Sequence, residues 1–218
     1  MTLVIAIDGP SGSGKSSVSR AVAKQLGLSY LDTGAMYRAM TWWVQEKGID
    51  PIDGDAVFDV AKVAQIKPST DPANPVIFVG DVDVSVPIRG DVVTSAVSAV
   101  SAVPQVRTLL VELQREITAN AKQGIVVEGR DIGSVVLPDA SLKLYLTADS
   151  QARAARRAAE NGGEVQTTRE KLIARDHADS TRTVSPLEMA ADAKLVDTTH
   201  MELVEVVDYV LALVEDLT

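Results

Sequence analysis

The sequence predicts an α/β fold on a five-stranded parallel sheet flanked by helices, and three observations predict it. Short apolar runs recur along the chain, each separated from the next by a stretch with helical spacing. The runs are continuous rather than alternating, which is the pattern of strands covered on both faces. A glycine-rich loop follows the first run directly and opens a helical stretch. With 218 residues, 46% of them hydrophobic, the chain can bury one substantial core, so a single domain spanning residues 1–218 and carrying an insertion is expected.

The strands are expected at Leu3 to Ile7, Leu28 to Leu31, Ile125 to Val127, Leu142 to Leu146 and Leu195 to Val196. Helices are expected over Lys15 to Leu26, Pro104 to Gln123 and Ser150 to Asn161, closed by Gly27, Gly124 and Gly162, because glycine takes the left-handed turn after a helix without a steric penalty. Thr167 with Glu170, and Thr199 with Glu202, have the spacing of capping boxes. Between Pro68 and Gly90 the texture changes. Val76 to Val79, Gly80-Asp81 and the alternating Val82, Val84 and Val86 read as a hairpin with a two-residue turn, an antiparallel insertion on the main sheet. Ser95 to Val103 repeats Ser-Ala-Val three times, the mark of a small-residue helix face packed on a neighbour, and Pro104 begins or kinks the next helix.

Composition narrows the function. A net charge of −9 argues against a general nucleic-acid binder, which needs clustered Lys and Arg. Ser150 to Ser185 nonetheless holds seven Lys/Arg against five Asp/Glu, a basic segment suited to a small phosphorylated ligand; the alternative is a solvated basic helix. No apolar run reaches eighteen residues, and Leu3 to Ile7 is too short for a signal peptide, so no membrane partner and a cytoplasmic location are expected. The absence of cysteine excludes disulfides, thiolate metal sites and a cysteine nucleophile. His177 and His200 read as surface residues, Trp42 and Trp43 as packing.

Gly9, Pro10, Ser11, Gly12, Ser13, Gly14, Lys15 and Ser16 fit GxxxxGK[ST], between a strand and a helix as that motif requires, and Ser17 follows. In such a P-loop, backbone N–H groups curl around phosphate oxygens and the helix N-terminus adds its dipole. Lys15 is then the bridge to the β- and γ-phosphates and Ser16 the Mg²⁺ ligand, the ion arriving mainly with ATP. The chain lacks an Asn-Lys-x-Asp run for guanine and is short for a motor core, which leaves small-molecule kinases. An ATP-dependent sensor without an acceptor, or a kinase acting on UMP or dephospho-coenzyme A, stays open on these residues alone.

GPSGSGKSS at Gly9, LDTGAMYR at Leu31, PQVR at Pro104, EGRDIGSVVLPDA at Glu128 and ARDHADSTRTVSPL at Ala174 stand in an order and spacing that resemble the bacterial cytidylate kinases over nearly the whole chain. The resemblance implies a P-loop nucleoside monophosphate kinase that moves the ATP γ-phosphoryl group to CMP or dCMP, acting as a monomer on small molecules. It assigns residues 62–100 to a monophosphate-binding insertion and 150–185 to a helical lid and acceptor-binding segment. By the same resemblance Thr33, Tyr37, Arg38 and Arg130 meet the acceptor phosphate, Arg175 and Asp179 the sugar, and Arg182 the phosphate again. Ser98, Arg107 and Asp131 are implied to read the base. Arg153 and Arg157, one turn apart with Arg156 on a helix that Asp149 caps, are expected to close onto the migrating phosphoryl group. Glu128 stands where many members of that family carry aspartate, and is a further candidate on the magnesium side.

Overall fold

The computed structural model describes residues 2–217. Its main sheet has five parallel strands in the order β2-β6-β1-β7-β8: β1 (Val4–Asp8), β2 (Ser29–Asp32), β6 (Ile125–Gly129), β7 (Leu142–Thr147) and β8 (Lys194–Asp197). The two central strands are buried through most of their length, which explains their unbroken apolar runs. Alternation divides the side chains: Ile5 and Ile7 enter one core with Val126, Leu144 and Val206, whereas Ala6, Val127 and Leu31 enter the other with Met40, Val100 and Leu110. The first layer is closed by α1 (Lys15–Leu26) and α8 (Leu203–Glu215), the second by α2 (Thr33–Glu46), α4 (Asp91–Ala102) and α5 (Pro104–Asn120).

The expected hairpin forms from β4 (Ile77–Val79) and β5 (Val82–Asp83) around Gly80-Asp81. It belongs to a separate three-stranded antiparallel sheet with β3 (Ile66–Pro68), not to the main sheet, and it stops at Asp83 because Ser85 binds back onto Asp83 and the chain enters a short 3₁₀ turn at Pro87–Arg89. Helix α3 (Gly54–Ala61) precedes it and was not foreseen. The Ser-Ala-Val repeat lies on α4, where Val93, Val97 and Val100 form the buried stripe, and Pro104 opens α5 after a 95° bend.

Helix ends differ in detail from expectation. Gly27 takes the left-handed conformation after α1 as expected. Helix α5 ends earlier, at Asn120, and Gly124 instead enters β6 at φ 104°, where an added Cβ would lie 2.4 Å from the Leu3 carbonyl oxygen. The capping boxes at Thr167 and Thr199 do not form. Helix α7 (Val165–Thr181) starts behind Glu164, and Glu170 is taken by Gln166; α8 uses Glu202 and Glu205 as its box, while Thr199 donates to Asp197. Helix α6 (Ser150–Asn161) begins at Asp149, whose carboxylate accepts from Ala152 N–H at 2.8 Å. Among the described residues no single helix is long and apolar enough to cross a membrane.

Candidate active site

A cavity of about 680 Å³ opens at the carboxyl ends of the parallel strands, where open α/β sheets place their ligands. The loop between β1 and α1 forms one wall. Gly9 is required there, at φ 145°, because a Cβ would lie 2.0 Å from the Leu146 carbonyl oxygen. Helix α1 starts behind Gly14, which offers no side-chain cap, leaving its first N–H groups to the cavity. Lys15 donates to the Pro10 carbonyl at 2.7 Å across the loop. Burial, then repulsion from Arg130, draws its ammonium down to about 8, against the attraction of Glu128 and Asp8.

Carboxylates line the strand ends. Glu128, 3% exposed at the end of β6, accepts from the Ser16 hydroxyl at 3.0 Å and from Tyr30 Oη on the other oxygen. Burial and then repulsion from Asp32 raise it to about 7. A hydroxyl beside a buried carboxylate suits a divalent cation that keeps nucleotide phosphates and waters as its remaining ligands, so Ser16 and Glu128 fit magnesium. Among the described residues no group of three His, Cys, Asp or Glu could hold a metal unaided. Asp8 accepts at 2.8 Å from both Ile132 N–H and Gly133 N–H, tying β1 to the segment after Arg130 and Asp131; burial lifts it to about 6. Thr33 lines the cavity, but its hydroxyl donates to the Glu128 carbonyl at 2.7 Å, fixing the end of β6 instead of facing a ligand.

Four cationic side chains converge on the opposite wall. Asp179, 4% exposed on α7, ion-pairs with Arg130 at 2.8 Å, Arg175 at 3.9 Å and Arg182 at 4.0 Å, so these residues form a buried cluster and not a surface ion pair. Arg38 completes the wall, braced by the Ile88 carbonyl at 3.0 Å and the Thr94 hydroxyl at 2.8 Å. Burial first and like charge second push Arg38 down to about 10, through Arg157, and Arg175 down to about 9, through Arg130. Both remain cationic at neutral pH. Asp176, 3.7 Å from Arg130, and Asp131, 3.8 Å from Arg182, add their carboxylates to that of Asp179, and the four guanidinium groups still outnumber them, which leaves a cationic surface suited to a phosphate.

At the inner end Arg107, 3% exposed, ion-pairs with Asp131 and stacks 5.2 Å from the Tyr37 ring centroid, and Arg182 approaches Asp131 at 3.8 Å. Ser101 lines this end; Ser98 does not, its carbonyl serving as acceptor for Ser101 one turn on. The lid arginines separate. Arg157 lines the cavity beside Glu160 at 3.1 Å, with Arg156, which reaches Thr198. Arg153 does not line it. It turns under the loop, donating to the Ser11 carbonyl at 3.1 Å and pairing with Asp176, because its place on α6 sits against Gly12. His200 is exposed, as the surface reading expects, and also lines the cavity with Met201 and Leu203.

Asp8, Tyr30, Asp176 and Thr198 have structural parts in the site that sequence reasoning did not single out. Asp8 carried a signal, an acid closing a buried apolar strand, and Asp176 stands between Arg175 and Asp179 in a stretch already singled out.

The cytidylate kinase family model matches residues 5–216. Cytidylate kinases of Streptomyces coelicolor and Streptomyces avermitilis are 60% and 57% identical to the chain, each over 98% of it and 93% of the relative. That of Mycobacterium avium is 51% identical over 97% of the chain and 95% of the relative. A solved structure from Eubacterium ventriosum, described as an uncharacterized protein, shares the fold with a TM-score of 0.55 at 12% identity, covering 99% of both chains. By the family match and by these relatives, the chain belongs to the cytidylate kinase family.

Proposed function

We propose that the protein catalyses ATP + CMP ⇌ ADP + CDP, accepts dCMP as well, and works as a cytoplasmic monomer on these small molecules. The observation that carries this reading is the cavity with a P-loop on one wall and Arg38, Arg130, Arg175 and Arg182 on the other. A triphosphate and a monophosphate held there meet end to end. Gly9 to Ser17 cradle the ATP phosphates, with Lys15 toward the β- and γ-oxygens. Magnesium, held at Ser16 with Glu128 beside it, supplies charge neutralisation to those phosphates when bound.

Arg38, Arg130 and Arg182 hold the CMP phosphate, with Tyr37 at the helix start and Thr33 fixing the strand end behind it. Arg175 and Asp179 lie where the sugar would follow. At the inner end the Asp131 carboxylate accepts from the cytosine N4 amino group and Arg107 donates to its N3 and O2 side, with Ser101 on the adjoining helix. Uracil presents the opposite pattern at that edge. No protein nucleophile is required: in-line positioning, Lys15, Arg130 and the lid residue Arg157 stabilise charge on the migrating group, while Arg153 braces the loop. A sensor without an acceptor has no use for the second cationic wall. The test is coupled ADP release with CMP, dCMP, UMP, AMP and GMP. CMP and dCMP are expected to lead the series by orders of magnitude; equal rates across the five, or release independent of any of them, would overturn the assignment.

A further inference from the structure

Tyr30 places a phenol among aliphatic side chains. It is 2% exposed and packs in the layer of Ile5, Val22, Leu28 and Val126 beneath α1. A hydroxyl buried in such surroundings is costly unless it is hydrogen-bonded. Its partner is one oxygen of Glu128. Strand register creates the pair: Tyr30 lies opposite Val126 and Asp32 opposite Glu128, so Tyr30 and Glu128 project from the same face of neighbouring strands. The other Glu128 oxygen accepts from Ser16 at 3.0 Å, so the carboxylate spans the gap between the β2 phenol and the first turn of α1. Thr33 holds the backbone of the same residue through its carbonyl, which leaves the side-chain torsions to be fixed by Tyr30 and Ser16.

We propose that Tyr30 is a positioning residue for the divalent cation: its hydroxyl holds Glu128 Oε1 against the sheet and so presents Oε2 beside Ser16. The proposal rests on the assignment of Ser16 and Glu128 to magnesium made above. An aspartate at 128 would set the carboxylate back by one methylene, away from both hydroxyls, so the proposal gives the phenol its part with the longer acid.

The experiment compares calorimetric affinities for ATP with Mg²⁺, for ATP with a chelator, and for CMP. The proteins are the parent, Tyr30→Phe, Glu128→Asp, Glu128→Gln and the double variant Tyr30→Phe/Glu128→Asp. Tyr30→Phe is expected to cut the gain in ATP affinity that Mg²⁺ gives by about tenfold, the scale of lost outer-shell support at metal sites, and to leave metal-free ATP and CMP affinities unchanged. Glu128→Asp is expected to lose a similar amount, with nothing further lost in the double variant. A parental Mg²⁺ gain in Tyr30→Phe, or losses that add in the double variant, would overturn the proposal. So would equal weakening of all three ligands, which would mark the hydroxyl as a folding contact. If both Glu128→Asp and Glu128→Gln keep the parental gain, the magnesium assignment of Glu128 fails, and this proposal with it.

Discussion

In the proposed reaction Lys15 and the four arginines divide the labour of the cavity by residue type. A lysine in the loop offers a compact charge that can follow the γ-phosphoryl group, and its nearest fixed partner is a carbonyl, Pro10 O at 2.7 Å, which it can exchange for phosphate oxygens. Lys15→Ala should therefore lower kcat by orders of magnitude in a folded protein, and near-parental turnover would sink the donor assignment. The arginines are forked, already oriented by Asp179, Ile88 and Thr94, and suited to a phosphate that stays put. Replacing Arg38, Arg130 or Arg182 should weaken CMP more than ATP, by roughly 1.5 to 3 kcal/mol for each charge-assisted bond. Titration of both ligands against the three variants checks the prediction, and equal losses would place the residues on the donor side.

At the scale of elements, strand ends and the segments after them determine whether those side chains meet. Asp8 joins β1 to the backbone just beyond Arg130 and Asp131 through two N–H donors. Asparagine offers only one acceptor there, so Asp8→Asn leaves a buried N–H unpaired and should destabilise the fold by about 1 to 3 kcal/mol, read by urea unfolding. The pH dependence has a definite sign. Burial raises Asp8 from 3.8 to about 6 against the two N–H donors of Gly133 and Ile132, so between those values the folded protein binds more protons than the unfolded chain. Stability from this group falls as pH rises through that window, and the parent's advantage over Asp8→Asn should shrink across it and stay level above. Gly124→Ala, with its Cβ against the Leu3 carbonyl at φ 104°, should cost more than about 1 kcal/mol with no change in the CMP to ATP affinity ratio. Much of this level was legible beforehand, because continuous apolar runs and a P-loop in its strand-loop-helix setting are local signals. The third strand Ile66–Pro68 was not, since three residues including a proline give no periodicity. The true starts behind Glu164 and at Glu202 were missed because spacing alone favours the nearby threonines, and only tertiary packing decides where each helix begins. The diversion of Arg153 to Ser11 and Asp176 had the same origin, for helical spacing gives a face but not what the face meets.

Across the whole molecule, β6 and the segment after it link the P-loop to the cationic wall. Glu128 faces the P-loop, Arg130 stands on the cationic wall, and Asp131 reaches the buried Arg107 on α5, so in the proposed reaction three residues within four consecutive positions serve donor, phosphate and base. The central claim is that this arrangement transfers phosphate to a nucleotide it recognises by its cytosine edge. A site built to hydrogen-bond one edge rejects another strongly, because its buried polar groups are then left unpaired. The most direct test is the ratio of kcat/KM for CMP to that for UMP in the parent, Arg107→Ala and Asp131→Ala, with ATP affinity as the control, since ribose and phosphate contacts cancel in the ratio. The account predicts a large parental ratio that collapses in both variants while ATP affinity holds, and a parental ratio retained in both would contradict it.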